Sequence, residues 1–175
     1  MAIHRLRQGL RALFAFARPV DLDLAARYLT PQQVGLFRSM RRSEQLHSLN
    51  VLRSVLAQGD PSFDGVRPDL AVAALLHDVG KSRYPLAVWQ KTVAVLVRAF
   101  APDLFRRLSQ RDPSDFLARP FVVAVRHPAW SADLLAQAGA SDAAIWLVAH
   151  HQDAPQPGDE RSHLLKRLQS ADDAN

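Results

Sequence analysis

Apolar residues recur at spacings of three and four along most of the chain, which is the period of helices with one buried face. Leu6, Leu10 and Phe14 follow this spacing and predict a basic amphipathic helix over residues 2–17. Thr30-Pro31 marks the start of another helix, because Thr is a favoured N-cap and Pro a favoured first residue. Further helices are predicted over 43–57, 69–76, 84–110 (one or two, broken near Ala101-Pro102), 141–152 and 160–171, with loops at 60–68, 112–120 and 153–159.

One predicted helix differs from the others because it is apolar on every side. Residues 70–76 contain only Leu, Ala and Val, so this helix is expected at the buried centre of the fold. Residues 121–125 have the composition of a short strand, but their surroundings favour helix. His127 is then expected at the start of a helix that carries Leu134 and Leu135. The sequence therefore predicts an all-α protein.

The charge balance favours an anionic partner. Lys and Arg number 22 against 17 Asp and Glu, which gives a net charge of +5. Such a partner could be a phosphate compound, nucleic acid or an acidic membrane face, but the excess is modest for a dedicated DNA-binding protein, and DNA is not expected as a partner. The chain has no Cys, which excludes disulfides and thiolate catalysis. A length of 175 residues suits one domain.

The apolar runs are too short for membrane insertion or export. The longest run covers residues 70–76, whereas a spanning helix needs roughly 20 residues. The apolar stretch 12–17 is closed by Arg18 and is shorter than the core of a signal peptide. We therefore expect a cytoplasmic protein. Peripheral contact with a membrane surface through residues 2–18 stays open, although such a segment more often packs on its own domain.

Histidine and aspartate residues occur at the ends of the apolar helices. His77 and Asp78 follow the apolar helix directly, and an unpaired buried carboxylate costs several kcal/mol at least. A metal ion would compensate for that cost, but Asp78 capping the next helix would do so as well. The other residues in similar positions are His47, His127, His150, His151 and Asp172. Seven such residues on the apolar faces or at the ends of helices favour a metal ion over a capping role.

The order His47, His77-Asp78 and Asp172 resembles the H…HD…D signature of the HD superfamily of metal-dependent phosphohydrolases. The continuation Val79-Gly80-Lys81 is similar to the subset called HDIG. The resemblance covers about residues 43–173. It implies an HD domain over residues 43–175, a helical extension over 1–42, and an inserted helical segment over 84–119 that either walls the site or only extends the core.

The resemblance also implies the ligand sets. His47, His77, Asp78 and Asp172 would bind a first ion, and His127, His150 and His151 a second, with Asp78 bridging. Two divalent transition-metal ions (Mn, Fe, Co, Ni or Zn) are expected, because imidazole suits these better than Mg. Asp78 and Lys81 would be catalytic, and Lys81 would also bind substrate phosphate.

The implied activity is a phosphohydrolase or phosphodiesterase in which a metal-activated hydroxide attacks a phosphate ester. The expected substrate is of nucleotide type, including cyclic dinucleotides, although the Gly-Tyr-Pro motif of the cyclic-di-GMP phosphodiesterases is missing. The alternative is a non-catalytic nucleotide or RNA sensor that keeps the fold. The sequence leaves the oligomeric state open.

Overall fold

The computed structural model describes residues 19–59, 67–155 and 160–175. Helices account for the regular structure in this part of the chain, and none of it is strand, so the predicted all-α fold is confirmed. The helices are α1 (Leu22–Ala26), α2 (Pro31–Ser39), α3 (Arg42–Gln58), α4 (Pro68–Leu76), a 3-10 turn (Val79–Arg83), α5 (Val88–Phe100), α6 (Pro102–Ser109), α7 (Arg119–Gln137), α8 (Asp142–Ala149) and α9 (Glu160–Asp173).

Helix α4 lies at the centre of the bundle. All of its residues from Leu70 to Leu76 are buried, and it packs against α3, α8 and α9. An amphipathic helix buries one stripe, whereas a helix that is apolar all round needs neighbours on every side. The central position predicted from the apolar run is therefore confirmed. It also places His77 and Asp78 at the carboxyl end of the most buried helix.

Helix α2 begins where the sequence predicts. Thr30 accepts a hydrogen bond from the backbone N–H of Gln33, and the side chain of Gln33 accepts one from the N–H of Thr30. This reciprocal capping satisfies two of the backbone donors that a helix start leaves without partners. Helix α3 begins at Arg42, one residue before the predicted Ser43, and ends before Gly59, whose φ of 62° terminates it.

Helix α7 corrects the prediction that a helix begins at His127. The helix already starts at Arg119 and continues through His127 and Pro128. A proline inside a helix removes one hydrogen bond and costs about 3 kcal/mol. The start of the helix buries Phe121, Val122 and Val123, and this burial holds the helix continuous across the proline. The strand considered for residues 121–125 is thereby excluded.

Three other predicted boundaries lie too far along the chain. Pro68 is the first residue of α4 and not the end of a loop. Arg119 and Pro120 belong to α7, so the second loop is also shorter than predicted. Helix α8 ends at Ala149, which leaves His150 and His151 in the turn that follows. In the first two cases the proline fits the first turn of a helix, where its missing N–H is harmless.

Helices α5 and α6 form a hairpin that packs against α7. They meet at Ala101-Pro102, so the predicted break within residues 84–110 is confirmed. We refer to residues Val88–Ser109 as the α5–α6 hairpin. It lies over the part of α7 that carries His127, and it is therefore next to the site described below.

The predicted helix over residues 2–17, most of the first predicted loop (60–66) and residues 156–159 lie outside the described residues. Within the part of the chain that the structure describes, no helix combines the length and apolar character required to cross a bilayer.

Candidate metal centre

Five elements bring six of the seven predicted ligands together. The first three are His47 on α3 and His77 and Asp78 at the end of α4. His127 comes from the middle of α7 and His151 from the turn after α8. Asp172 is near the end of α9 and reaches His47 and His77. These residues are separated by up to 125 positions in sequence, so only the packing of the bundle assembles them.

A first group forms around His47, His77 and Asp78, whose ligand atoms lie within 4.8 Å of one another. His77 Nε2 is 3.7 Å from Asp78 Oδ2 and 3.6 Å from Asp172 Oδ1. His47 Nε2 is 2.8 Å from the same Asp172 oxygen. Two imidazoles and two carboxylates thus face a single point at the edge of the buried core.

A second group forms around Asp78, His127 and His151, all of them buried. His127 Nε2 is 3.3 Å from Asp78 Oδ1 and 3.2 Å from His151 Nε2. Asp78 presents Oδ2 to the first group and Oδ1 to the second. One carboxylate therefore joins the two groups and could bridge a pair of neighbouring ions.

The buried imidazoles share one orientation. Nδ1 of His77 lies 3.2 Å from the carbonyl of Ala74, and Nδ1 of His127 lies 2.9 Å from that of Val123. Nδ1 of His151 is 2.8 Å from the carbonyl of Val148. A carbonyl only accepts, so each Nδ1 carries a proton, and in the neutral imidazole each Nε2 directs a lone pair into the site. Backbone carbonyls commonly orient metal-bound histidines in this way.

His77 Nε2 is the least satisfied of these atoms. It is buried and has no hydrogen-bond partner in the structure. Burial alone would lower the pKa of His77, but the charges of Asp78 and Asp172 outweigh it and raise that pKa above its ordinary value. A site that draws a proton onto a buried imidazole is a site that attracts a cation. The donor set, imidazole nitrogen with carboxylate oxygen, fits a transition-metal ion.

Electrostatics keep both carboxylates charged. Burial would raise the pKa of Asp78, yet His77 and Lys81 hold it well below its usual range. Burial would raise the pKa of Asp172 too, but its hydrogen bond to His47 and the nearby charge of His77 hold that pKa below its usual range. The pKa of His151 is lowered to about 3, mainly by burial and then by the charge of His77. His151 is therefore a neutral imidazole at ordinary pH, which is the form that binds metal.

Lys81 lies at the rim of the centre. Its Nζ is 2.6 Å from Asp78 Oδ2, and its side chain is 26% exposed. The 3-10 turn that follows Asp78 brings the two residues together, because residues three apart lie on one side of such a turn. The ammonium group thus balances Asp78 while it keeps access to solvent.

Gly80 allows that turn to lie directly on α7. Its N–H donates a 2.7 Å hydrogen bond to Ser131 Oγ. A Cβ at this position would meet the carbonyl of His127 and would lie 2.8 Å from the backbone nitrogen of Ser131. Gly80 does not have a positive φ, so the requirement is one of space. The contact sets the distance between the end of α4 and His127.

His150 is the predicted ligand that the structure holds apart from the cluster. Its ring stacks on Trp146 with a centroid distance of 4.4 Å, and its Nδ1 is 2.8 Å from the carbonyl of Trp146. It belongs to neither group of potential ligands among the described residues. The adjacent His151 points inward instead, since successive side chains in the turn diverge.

Two basic residues beside the centre were not predicted as site residues, although Arg98 lies in the segment 84–119 that was expected either to wall the site or to extend the core. Arg98 on α5 lines a depression with His151 and Asp172. Arg98 and Lys91 also line a groove that reaches His127. The only sequence signal was their spacing of seven, which places both on the helix face that carries Val88 and Val95. Nothing in the sequence indicates that this face looks toward the histidines.

Comparison with known proteins gives one match. A family model, HD domain, matches residues 46–174, which is well over half of the chain. No curated protein matches the chain, and no solved structure does. The matched range begins just before His47 and ends just after Asp172, so it encloses both groups of potential ligands. On this match and this all-helical structure, the chain belongs to the HD-domain family.

Proposed function

We propose that this protein is a metal-dependent phosphohydrolase that cleaves a phosphate ester of a nucleotide-type substrate. Membership of the HD-domain family supports metal-dependent hydrolysis in general. The observation that carries the proposal is the buried His77 Nε2, which has no hydrogen-bond partner and faces the carboxylates of Asp78 and Asp172. A bound cation would satisfy all three groups at once.

The two groups of ligands suggest how two ions would be shared. His47, His77, Asp78 and Asp172 would hold the first ion. His127 and His151 would hold the second together with Asp78, whose two oxygens face the two groups. His150 remains a predicted ligand that would join only if its ring left Trp146. We also propose that the chain is of the HDIG subset, on the run His77-Asp78-Val79-Gly80-Lys81.

Divalent transition-metal ions bound here would activate water and stabilise charge on the phosphoryl oxygens. The chain's own residues would orient and balance that chemistry. Asp78 stays ionised and can bridge, while the backbone carbonyls keep His77, His127 and His151 turned inward. Lys81 is close enough to the centre to move its ammonium from Asp78 to a substrate phosphate oxygen.

The domain organisation follows the same proposal. Residues 1–42 would be a helical extension, 43–175 the HD domain, and 84–119 an inserted segment. The α5–α6 hairpin lies within that segment and packs on α7, whose residue His127 faces the centre. This position favours a wall of the active site over a mere extension of the core.

The test is the metal content of the full chain, measured by mass spectrometry after purification without added metal. We expect about two equivalents of transition metal per chain, falling toward one in His127→Ala. His163→Ala is the matched control, because His163 is exposed on α9, and its metal content should equal that of the wild type. No bound metal, and none taken up on titration with Mn or Fe, would refute the proposal.

A second measurement separates an enzyme from a sensor. The metal-loaded protein is incubated with mononucleotides, cyclic nucleotides and cyclic dinucleotides, and release of product is followed. We expect hydrolysis of at least one class, with loss of that activity in Asp78→Asn. Metal binding with nucleotide binding but no hydrolysis would instead identify a non-catalytic sensor.

A further inference from the structure

A groove opens beside the metal centre, between the α5–α6 hairpin and α7. Its volume is about 220 Å³, and apolar residues such as Val95, Phe105 and Val123 form much of its wall. Pockets that enclose a whole small ligand are usually roughly 300–1,000 Å³. The groove is therefore sized for one part of a substrate and not for all of it.

The groove and the metal centre share residues. His127 and Lys81 line the groove, and both contact Asp78 in the centre. A group bound in the groove would therefore adjoin a phosphate held at Lys81. Its organic part would point away from the ligands, along the apolar wall formed by the hairpin.

The cationic side chains around the groove differ in whether a carboxylate already neutralises their charge. Lys81 is paired with Asp78, and Lys91 is paired with Glu44 at 2.8 Å. Arg98 has no carboxylate partner among the residues that the structure describes. Its guanidinium lies 5.8 Å from the centre of the Phe105 ring, which holds it at the boundary of the groove. Arg98 also lines the depression that contains His151 and Asp172.

Resting on the proposed function, we propose that the groove binds a planar aromatic group of the substrate and that Arg98 binds an anionic oxygen beside it. The aromatic group would pack against Val95, Phe105 and Val123. Besides its three cations, the described lining of the groove has two polar side chains that could form hydrogen bonds with the edge of a base. These are Gln152 and His127. The substrate class is therefore an aromatic phosphate ester, such as a nucleotide, accepted with little discrimination between bases.

The test uses two phosphonates that the enzyme cannot hydrolyse as esters. Binding of phenylphosphonate and methylphosphonate to the metal-loaded protein is measured by titration calorimetry. Both carry the same charged group, so their difference reports the groove alone. We expect phenylphosphonate to bind about tenfold more tightly, as burial of a phenyl ring predicts. Equal affinity of the two for the metal-loaded wild type would overturn the inference and leave the proposed function intact.

Variants locate the effect within the groove. Phe105→Ala should reduce the preference for phenylphosphonate, and so should Ala124→Leu, which fills the groove without removing a packed ring. Leu104→Ala is the matched control, since Leu104 is a half-exposed apolar residue of the same helix outside the groove wall. An unchanged preference in both groove variants, with folding confirmed by circular dichroism, would contradict the proposed position.

Arg98 is tested separately because it should act on the charged group. Arg98→Ala should weaken both phosphonates by about tenfold, as loss of a hydrogen bond to a charged group predicts, and Arg98→Lys should restore part of the affinity. Unchanged affinity for both in Arg98→Ala would refute its role. Failure of the wild type to bind metal would overturn the proposed function instead, and this inference with it.

Discussion

The close contact between Gly80 and α7 leads to a prediction about both stability and metal binding. In Gly80→Ala the new Cβ would lie 2.8 Å from the backbone nitrogen and 2.9 Å from Oγ of Ser131, and would meet the carbonyl of His127. Two of these three atoms belong to the backbone of α7, which cannot rotate away as a side chain can. The 3-10 turn and α7 would have to separate.

The cost follows from the packing. Forcing an extra methyl group into a well-packed core costs about 1–3 kcal/mol. The hydrogen bond from the Gly80 N–H to Ser131 would also lengthen from its 2.7 Å. For a chain of this size, each kcal/mol lowers the melting temperature by about 2–4 °C. We therefore expect a melting temperature lower by roughly 2–12 °C in Gly80→Ala.

The displacement should also reach the metal centre. Gly80 lies two residues after Asp78, and the atom it would meet is the carbonyl of His127. Moving α7 outward would increase the 3.3 Å separation of His127 Nε2 from Asp78 Oδ1. Of the two ions proposed above, the second should therefore be lost before the first, which metal analysis of the purified variant would detect.

The assay is thermal unfolding followed by circular dichroism at 222 nm. Gly35→Ala is the matched control, because Gly35 lies within α2 and a Cβ there would meet nothing within 4 Å. Alanine should stabilise that helix by about 0.5–1 kcal/mol, so the control should melt at the same temperature or higher. If Gly80→Ala melts with the wild type and keeps both ions, the steric reasoning is wrong.

Two other predictions concern the attachment of the hairpin and the binding of metal. Glu44 is buried and accepts bonds from the Arg41 N–H and from Lys91 on α5, so Glu44→Gln should lower the free energy of unfolding by about 1–3 kcal/mol in urea denaturation. Asp103→Asn removes an ion pair that is mostly exposed, with Arg106, and should have little effect; equal effects would contradict this account of the hairpin's attachment. Removal of bound metal with a chelator should lower the melting temperature by about 5–11 °C for each ion present at a hundredfold excess over its dissociation constant. An unchanged melting temperature after chelation of metal-loaded protein would argue against ligands that bind only in the folded state.

Much of this protein could be predicted from local features of the sequence. The helix start at Thr30-Pro31 and the break at Ala101-Pro102 depend on neighbouring residues alone. The central position of α4 follows from a run of apolar residues that only a buried helix can accommodate. The order of His47, His77-Asp78 and Asp172 indicates the family, which the match over residues 46–174 confirms.

Boundaries that depend on distant packing were predicted less well. A helix start was predicted at His127, which is followed by Pro128, a residue type that usually interrupts a helix. Burial of Phe121, Val122 and Val123 holds α7 continuous instead. That continuity places His127 in the middle of a long helix, where the carbonyl of Val123 orients its ring.

Local sequence patterns were enough to predict a helical fold, the helix at its buried centre and the residue types available for a metal site. Which of those residues meet depends on how the helices pack in three dimensions. In the folded protein His151 points toward Asp78, whereas its neighbour His150 stacks on Trp146. Which of the two rings points inward depends on the surface that packs against the turn after α8. The tertiary structure also places Arg98 beside the centre, because the α5–α6 hairpin packs on α7 through contacts that helical periodicity does not specify. Spacing within a helix assigns a residue to a face, but the direction of that face is set by the packing of the whole bundle.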